Sequence, residues 1–260
     1  MMQIYVCVKH VPDTAANIKL TAQTEYDEKT CKFVVNPYDE YAVEEAVQLV
    51  TKAGSGEVIV VTVGKDAAME SIRGALAMGA HRGILIKIDG QFLDSALSAL
   101  ALKAAIEQDG SPDIIFTGKG AVDTEGYQTQ YRLAAAMNLP VVNDVSDLRI
   151  ENNTAVVERE TGGGAREILE MALPGVIGAT KGLNEPRYPK FPDIMKAKKK
   201  EVKQTDLAQL GIDASAPATE LIELEAVPPR TAAKILQGST GERVAELVRI
   251  LKEEEKVLEV

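Results

Sequence analysis

The sequence predicts an α/β fold: a Rossmann-like, doubly wound, mainly parallel sheet with a small β-hairpin addition and an extended C-terminal arm. Three observations carry that reading. The first 140 residues alternate short apolar runs with amphipathic stretches, the rhythm of strands joined by crossover helices. Runs such as Glu57–Val63 (EVIVVTV) are almost continuously apolar, as strands covered on both faces are. After about residue 145 short alternating segments take over, separated by Asn152-Asn153 and Gly162-Gly163-Gly164, which are hairpin turn signals.

The elements follow in order. Met2–Val8 reads as the first strand. Residues 12–36 are polar and long, with a strand-like Cys31–Val35, and read as a hairpin-like excursion over the sheet. Tyr38–Ala53 is helical, with Ala42, Val43, Ala46, Val47, Leu49 and Val50 on one face. Asn36 is placed to cap it, Pro37 fits the first helical position, Asp39 and Glu40 suit the positive end of the dipole, and Gly54 ends it. Helices are expected at Ala67–Met78, Asp94–Gln108 and Glu125–Met137. Strands are expected at Gly83–Ile88, Asp113–Phe116 and from Leu139–Val142 onward. Leu148–Glu151, Ala155–Glu160, Arg166–Ala172 and Val176–Ala179 read as short strands. Residues 181–203 are rich in Pro and Lys, and residues 204–239 have little core-forming power. Gly241–Lys256 reads as a charged amphipathic helix. The expected division is an α/β domain over 1–203 and an arm over 204–260 that packs back on its domain or on a partner.

Composition excludes several functions. The 260 residues, 45% apolar, can bury a sizeable core. Acids number 39 against 29 Lys plus Arg, a formal charge of −10, which disfavours general nucleic-acid binding. Cys7 and Cys31 form no CxxC, and His10 and His81 are the only histidines. No disulfide framework, iron–sulfur centre or other metal site is therefore expected. No apolar run approaches the roughly 18 residues of a membrane span, so no membrane insertion is expected. Met1-Met2-Gln3-Ile4-Tyr5 enters a strand without signal-peptide shape, which gives a cytoplasmic expectation. No Ser/His/Asp or Cys/His arrangement is evident, and Cys7 in a buried strand reads as a small core residue. No catalytic residue is assigned.

Two segments stand out. Thr117-Gly118-Lys119-Gly120-Ala121-Val122-Asp123 links a strand to a helix. In an open α/β sheet ligands bind at the carboxyl ends of strands, and a glycine-rich turn there can offer N–H groups to a phosphate. It is neither GxGxxG nor GxxxxGK[ST], and the same residues would serve a tight turn. Asp123 could bind a ligand or cap the helix, and Gln128 and Thr129 could face the same ligand. Cys7-Val8-Lys9, Val63-Gly64 and Asn36 would share this crevice in a parallel sheet. The second segment, Lys181–Lys203, holds eight basic and three acidic residues. It is locally +5, leaving −15 for the rest of the chain. Tyr188 and Phe191 beside it make an apolar anchor next to a basic patch, a plausible protein-docking loop.

The stretch Leu183-Asn184-Glu185-Pro186-Arg187-Tyr188-Pro189-Lys190-Phe191-Pro192-Asp193-Ile194-Met195-Lys196-Ala197-Lys198-Lys199-Lys200 resembles the recognition-loop region of electron transfer flavoprotein β subunits. Val157–Thr180, with Arg159-Glu160 before Gly162-Gly163 and then Leu173-Pro174-Gly175-Val176, is similar to the same family's signature. Asn36-Pro37-Tyr38-Asp39 with Val43-Glu44-Glu45-Ala46, and Gly118–Thr129, match as well. The resemblance implies an adenine nucleotide α-hydrolase-like fold and a heterodimer with an α subunit that the arm embraces. FAD would be held mainly by α. Electrons would come from flavin dehydrogenases such as the acyl-CoA dehydrogenases of fatty acid β-oxidation and leave to a quinone reductase.

The resemblance also puts AMP in the crevice, at Cys7, Asn36, Val63, Gly118, Ala121, Asp123, Gln128 and Thr129. Thr14 would lie close to the flavin ring, and Glu160 matches an acid linked to mobility of the flavin domain. Phe191 stands where the family places an apolar anchor, commonly Leu, with Tyr188, Ile194, Met195, Lys196 and Lys199 around it. Electron-bifurcating relatives carry a second FAD in place of AMP. Asp123-Thr124-Glu125-Gly126-Tyr127-Gln128-Thr129 is closer to the AMP pattern, while Lys9-His10-Val11-Pro12-Asp13-Thr14 leans the other way. A stand-alone nucleotide-binding stress-type protein of the same fold is the alternative of another class. It would need neither the Pro/Lys loop nor the arm.

Overall fold

A computed structural model describes residues 2–215, 217–228 and 232–258. Residues 216, 229–231, 259 and 260 of the expected arm lie outside the described residues. The strands are β1 (Gln3–Cys7), β2 (His10–Pro12), β3 (Leu20–Ala22), β4 (Glu25–Tyr26), β5 (Phe33–Val35), β6 (Glu57–Gly64), β7 (Arg82–Lys87), β8 (Ile114–Gly118), β9 (Val141–Glu151), β10 (Thr154–Gly162), β11 (Ala165–Ala172), β12 (Val176–Ala179) and β13 (Val202–Asp206). The helices are α1 (Pro37–Ala53), α2 (Met69–Met78), α3 (Ser95–Asp109), α4 (Thr129–Met137), α5 (Phe191–Ala197) and α6 (Thr240–Arg249). The chain divides into two compact units, Met1–Leu224 and Glu225–Val260.

The first unit is built on a nine-stranded sheet of order β11-β10-β9-β12-β8-β1-β6-β7-β13. From β9 to β13 every pairing is parallel, and only the β9-β10-β11 meander is antiparallel. Strand side chains alternate between two faces, so the sheet has two cores. Ile4, Val6, Val58, Val60, Ile114 and Phe116 pack with α1 and α2 on one face. Tyr5, Cys7, Ile59, Val61 and Ile115 pack with α3 and α4 on the other. β1 lies between β8 and β6. The chain leaves β1 towards β6 and β7, then returns through α3 to β8 on the opposite side. The strand order therefore reverses between β1 and β8, a topological switch point where the carboxyl ends open a crevice.

Local signals explain most elements. α1 begins with Pro37 and ends at Gly54, whose φ of 71° is left-handed, a conformation that favours glycine. Its buried Ala42, Val43, Ala46, Val47 and Val50 follow the expected helical spacing. The polar excursion forms two small antiparallel pairs, β2 with β5 and β3 with β4.

Several expectations are corrected. Leu139–Val142 and Leu148–Glu151 are one strand, β9, whose first half pairs with β12 and second half with β10. The expected helix at Glu125 starts only at Thr129, because Glu125 and Tyr127 take left-handed φ of 46° and 49°. α5 and β13 were not expected: the five-residue VKQTD strand is polar and is recruited by pairing with β7. The expected terminal helix is α6, continued by a wider turn over Ile250–Glu254. Within that unit, Ser239 and Glu242 form a reciprocal capping box.

Candidate functional site

The crevice is organised by the first turn of α1. Asp39 is 4% exposed. Its Oδ2 accepts from the Lys9 N–H at 2.7 Å, just past β1. Its Oδ1 accepts from the Gly118 N–H at 2.9 Å, at the end of β8, and from Asn36 Nδ2 at 2.9 Å. Asn36 stands at the cap position but makes no capping bond. Its amide instead donates to Gly120 O at 2.9 Å and accepts from the Val122 N–H at 3.1 Å. The Asn36–Asp39 pair thus ties both strand ends at the switch point to the glycine loop. Burial pushes the Asp39 carboxyl up to about 7, against the hydrogen bonds from Lys9, Asn36 and Gly118.

The loop has further anchors. Lys119 O accepts from Gln130 Nε2 at 2.7 Å and Asn143 Nδ2 at 3.0 Å, so α4 and β9 hold it. Lys119 Nζ lies 3.2 Å from Asp144 and 5.2 Å from the centre of the Tyr38 ring. Asp123 does not cap α4. It pairs with Lys9 Nζ at 2.7 Å, joining the loop to the end of β1. Gln128 Oε1 accepts from Ser95 Oγ at 3.2 Å and Arg132 Nη2 at 2.9 Å. A Cβ at Gly118 would strike Asp39 Oδ1 and the Tyr38 Cβ. Gly118→Ala should therefore destabilise the fold by about 2–4 kcal/mol. A denaturant titration checks this, and a wild-type midpoint would contradict the close approach.

Cys7, Asn36, Val63, Gly118, Ala121, Asp123, Gln128 and Thr129 lie on the three adjacent strand ends, on α1's start and on the loop that leads into α4. Cys7 is buried in the core on the α3 and α4 side, and burial pushes its thiol up to about 12, so it stays a neutral group. Thr117 Oγ1 is buried and has no hydrogen-bond partner among the described residues. Cys7 and Val63 make these strand ends apolar, and two lysines stand at the rim, Lys9 paired with Asp123 and Lys119 with Asp144. Among the described residues no cluster of His, Cys, Asp and Glu could hold a metal ion, and no helix is long and apolar enough to cross a membrane.

Thr14 sits in the exposed turn after β2, and Glu160 is exposed near the end of β10 with Arg166 at 3.6 Å. An open groove of about 700 Å³ lies elsewhere, between α1 and β9, with Leu49, Leu148 and Leu183 in its walls.

Tyr188 and Phe191 are 95% and 74% exposed, and Ile194, Met195, Lys196 and Lys199 share their surface. The segment that carries them is held at its root. Arg187 Nε and Nη2 donate to Glu44 at 2.7 and 2.9 Å, and Asn184 Nδ2 donates to Glu45 at 2.9 Å. Burial alone would raise the Glu44 carboxyl, but the Arg187 bonds hold it below its usual range. Sequence reading missed Asp39 as a clip, along with Lys119, Gln130 and Asn143. The only local signal for Asp39 is an acid three residues after Asn36.

A family model described as the electron transfer flavoprotein domain matches residues 24–210. The chain is 36% identical to the electron transfer flavoprotein subunit beta of Bacillus subtilis, over 99% of this chain and 100% of that one. It is 39% identical to the protein of that name from Syntrophomonas wolfei, over 90% and 89%. It is 36% identical to that of Mus musculus, over 97% of each.

Proposed function

The chain belongs to the electron transfer flavoprotein β-subunit family, and from that premise we propose that it pairs with an α subunit to form an electron carrier, with AMP in the crevice described above. In this reading FAD is held mainly by α. When bound, it is the group that takes up and hands on electrons, from flavin dehydrogenases such as acyl-CoA dehydrogenases to a quinone reductase. The β chain contributes binding and docking. The clip of Asn36 and Asp39 at the switch point supports the reading most directly, because it shapes a loop at the edge where α/β sheets take nucleotides. Lys9 and Lys119 would face the phosphate, and Cys7 and Val63 the base. Tyr188, Phe191, Ile194, Met195, Lys196 and Lys199 would meet the donor dehydrogenase, Thr14 would approach the flavin, and Glu160 would act on flavin-domain mobility. Of the arm expected over 204–260, residues 204–206 pair with β7 within β13; the remainder would pack on α. The proposal includes a cytoplasmic location, which cell fractionation checks.

Mass identification of nucleotide released by denaturing the purified heterodimer tests the assignment. One FAD and one AMP per heterodimer are expected. Two FAD would instead make the pair an electron-bifurcating flavoprotein, and FAD without any second nucleotide would refute the crevice assignment. In this reading Asp123 accepts from the nucleotide as well as tying the loop to Lys9, so Asp123→Ala should lower nucleotide affinity by roughly tenfold, the scale of one lost charge-assisted hydrogen bond. Unchanged nucleotide content in that variant would remove Asp123 from the site.

A further inference from the structure

The lysine run after α5 is not uniform. Lys196, Lys198 and Lys199 are exposed, as solvated charges usually are. Lys200 turns inward, and its Nζ donates to Leu76 O at 2.9 Å, in the last turn of α2, and to Ala80 O at 2.5 Å, just past its end. In the other direction, Arg73 of α2 sends Nη1 to Ala197 O at 2.7 Å, at the end of α5, and to Lys200 O at 2.6 Å, in the turn that follows it. The terminal carbonyls of a helix have no partner within the helix and carry negative partial charge. Here Leu76 O and Ala197 O each accept a local turn N–H and, in addition, a cation from the other segment, so the ends of α2 and α5 are locked crosswise. Ala197, the one buried residue of α5, packs into the core cluster beneath the lock. Arg187 and Glu44 fix the other end of the same segment to α1.

We propose that Arg73 and Lys200 are positioning residues that hold Tyr188 and Phe191 in a preformed docking surface, so that the donor dehydrogenase meets an ordered segment. The inference rests on the docking reading given above. Between the two locks Tyr188 and Phe191 are largely exposed and Ile194 and Met195 partly exposed, so α5's packing on α2 and the two locks are what tie this segment down. Such a segment, untied, would have to be ordered during binding, and the entropy of ordering would weaken the complex. The exposed lysines around a rigid apolar knob fit a partner surface with an apolar socket and acidic rim.

The test uses the full heterodimer with Lys200→Met and Arg73→Lys variants, and Phe191→Ala as a reference. Amide hydrogen exchange over residues 188–197 should accelerate at least tenfold in Lys200→Met, with exchange in β1, β6 and β8 unchanged. The KM for reduction by the donor dehydrogenase should rise about tenfold while kcat stays within twofold. Arg73→Lys, whose ammonium reaches one bond less far than the Nη1 that serves both carbonyls, should show a smaller change of the same kind and serves alone if Lys200→Met does not fold. Unchanged exchange, or an unchanged KM in variants where Phe191→Ala still raises it, would overturn the inference. If Phe191→Ala leaves the KM unchanged too, the docking reading itself fails.

Discussion

Asp39→Ala should empty the crevice of the nucleotide proposed for it and lower stability by about 3 kcal/mol or more. The carboxylate is the shared acceptor for the Lys9 N–H, the Gly118 N–H and Asn36 Nδ2, and each buried donor left without a partner costs about 1–3 kcal/mol. Asp39→Asn keeps one acceptor oxygen and should cost less. The pair of variants also separates charge from shape through pH. Burial raises this carboxyl from an ordinary value of 3.8 to about 7. Between those values the folded chain binds a proton that the unfolded chain does not. The wild type therefore gains stability relative to Asp39→Asn as pH falls through that window, and the gain is smallest above pH 7. Melting temperatures of the two proteins across pH 5 to 8 check the sign. A constant difference would mean that Asp39 stays in one protonation state, and full nucleotide content in Asp39→Ala would mean that the clip does not shape the site.

Phe191→Ala carries the second large effect, this time on rate with the fold left intact. The ring is 74% exposed, so its removal should change stability by no more than about 0.5 kcal/mol. Central aromatic anchors of interfaces commonly contribute 2 kcal/mol or more, a factor of about 30 in affinity. Stopped-flow reduction of the heterodimer by its donor dehydrogenase should then need about 30-fold more protein to reach half-saturation. A parallel loss of melting temperature would place Phe191 in a core, and an unchanged concentration dependence would move the docking surface elsewhere.

The parallel sheet was legible because its strands are buried on both faces and therefore apolar throughout, as Glu57–Val63 is, and because α1 announces both ends with Pro37 and Gly54. What escaped is set by distant partners. VKQTD becomes β13 only because the edge of β7 is free to pair with it. α5 is a short helix whose last carbonyl, Ala197 O, takes a bond from Arg73, a residue of α2. The late start of α4 depends on Glu125 and Tyr127 adopting left-handed backbone beside Gly120, which a Cβ would push into the Tyr127 ring. In the site, the strand ends and the glycine loop follow from topology. The clip does not: in sequence Asp39 is one more acid in a first helical turn, and its acceptor role appears only when Lys9 and Gly118 arrive from two strands.

The sheet also has two ends, and both are chemically guarded. β11, at one edge, carries Arg166, Glu167 and Glu170 around an Ile168 that is 67% exposed. β13, at the other, presents Lys203 and Gln204 on a strand of five residues. Open edges of extended sheets are templates on which a second chain can add its own strand. Charges placed on a short or antiparallel border make that addition costly, so the protein can be abundant without growing by accretion at its margins. For the carrier proposed above, borders closed to strangers would leave the docking knob as the open part of the surface.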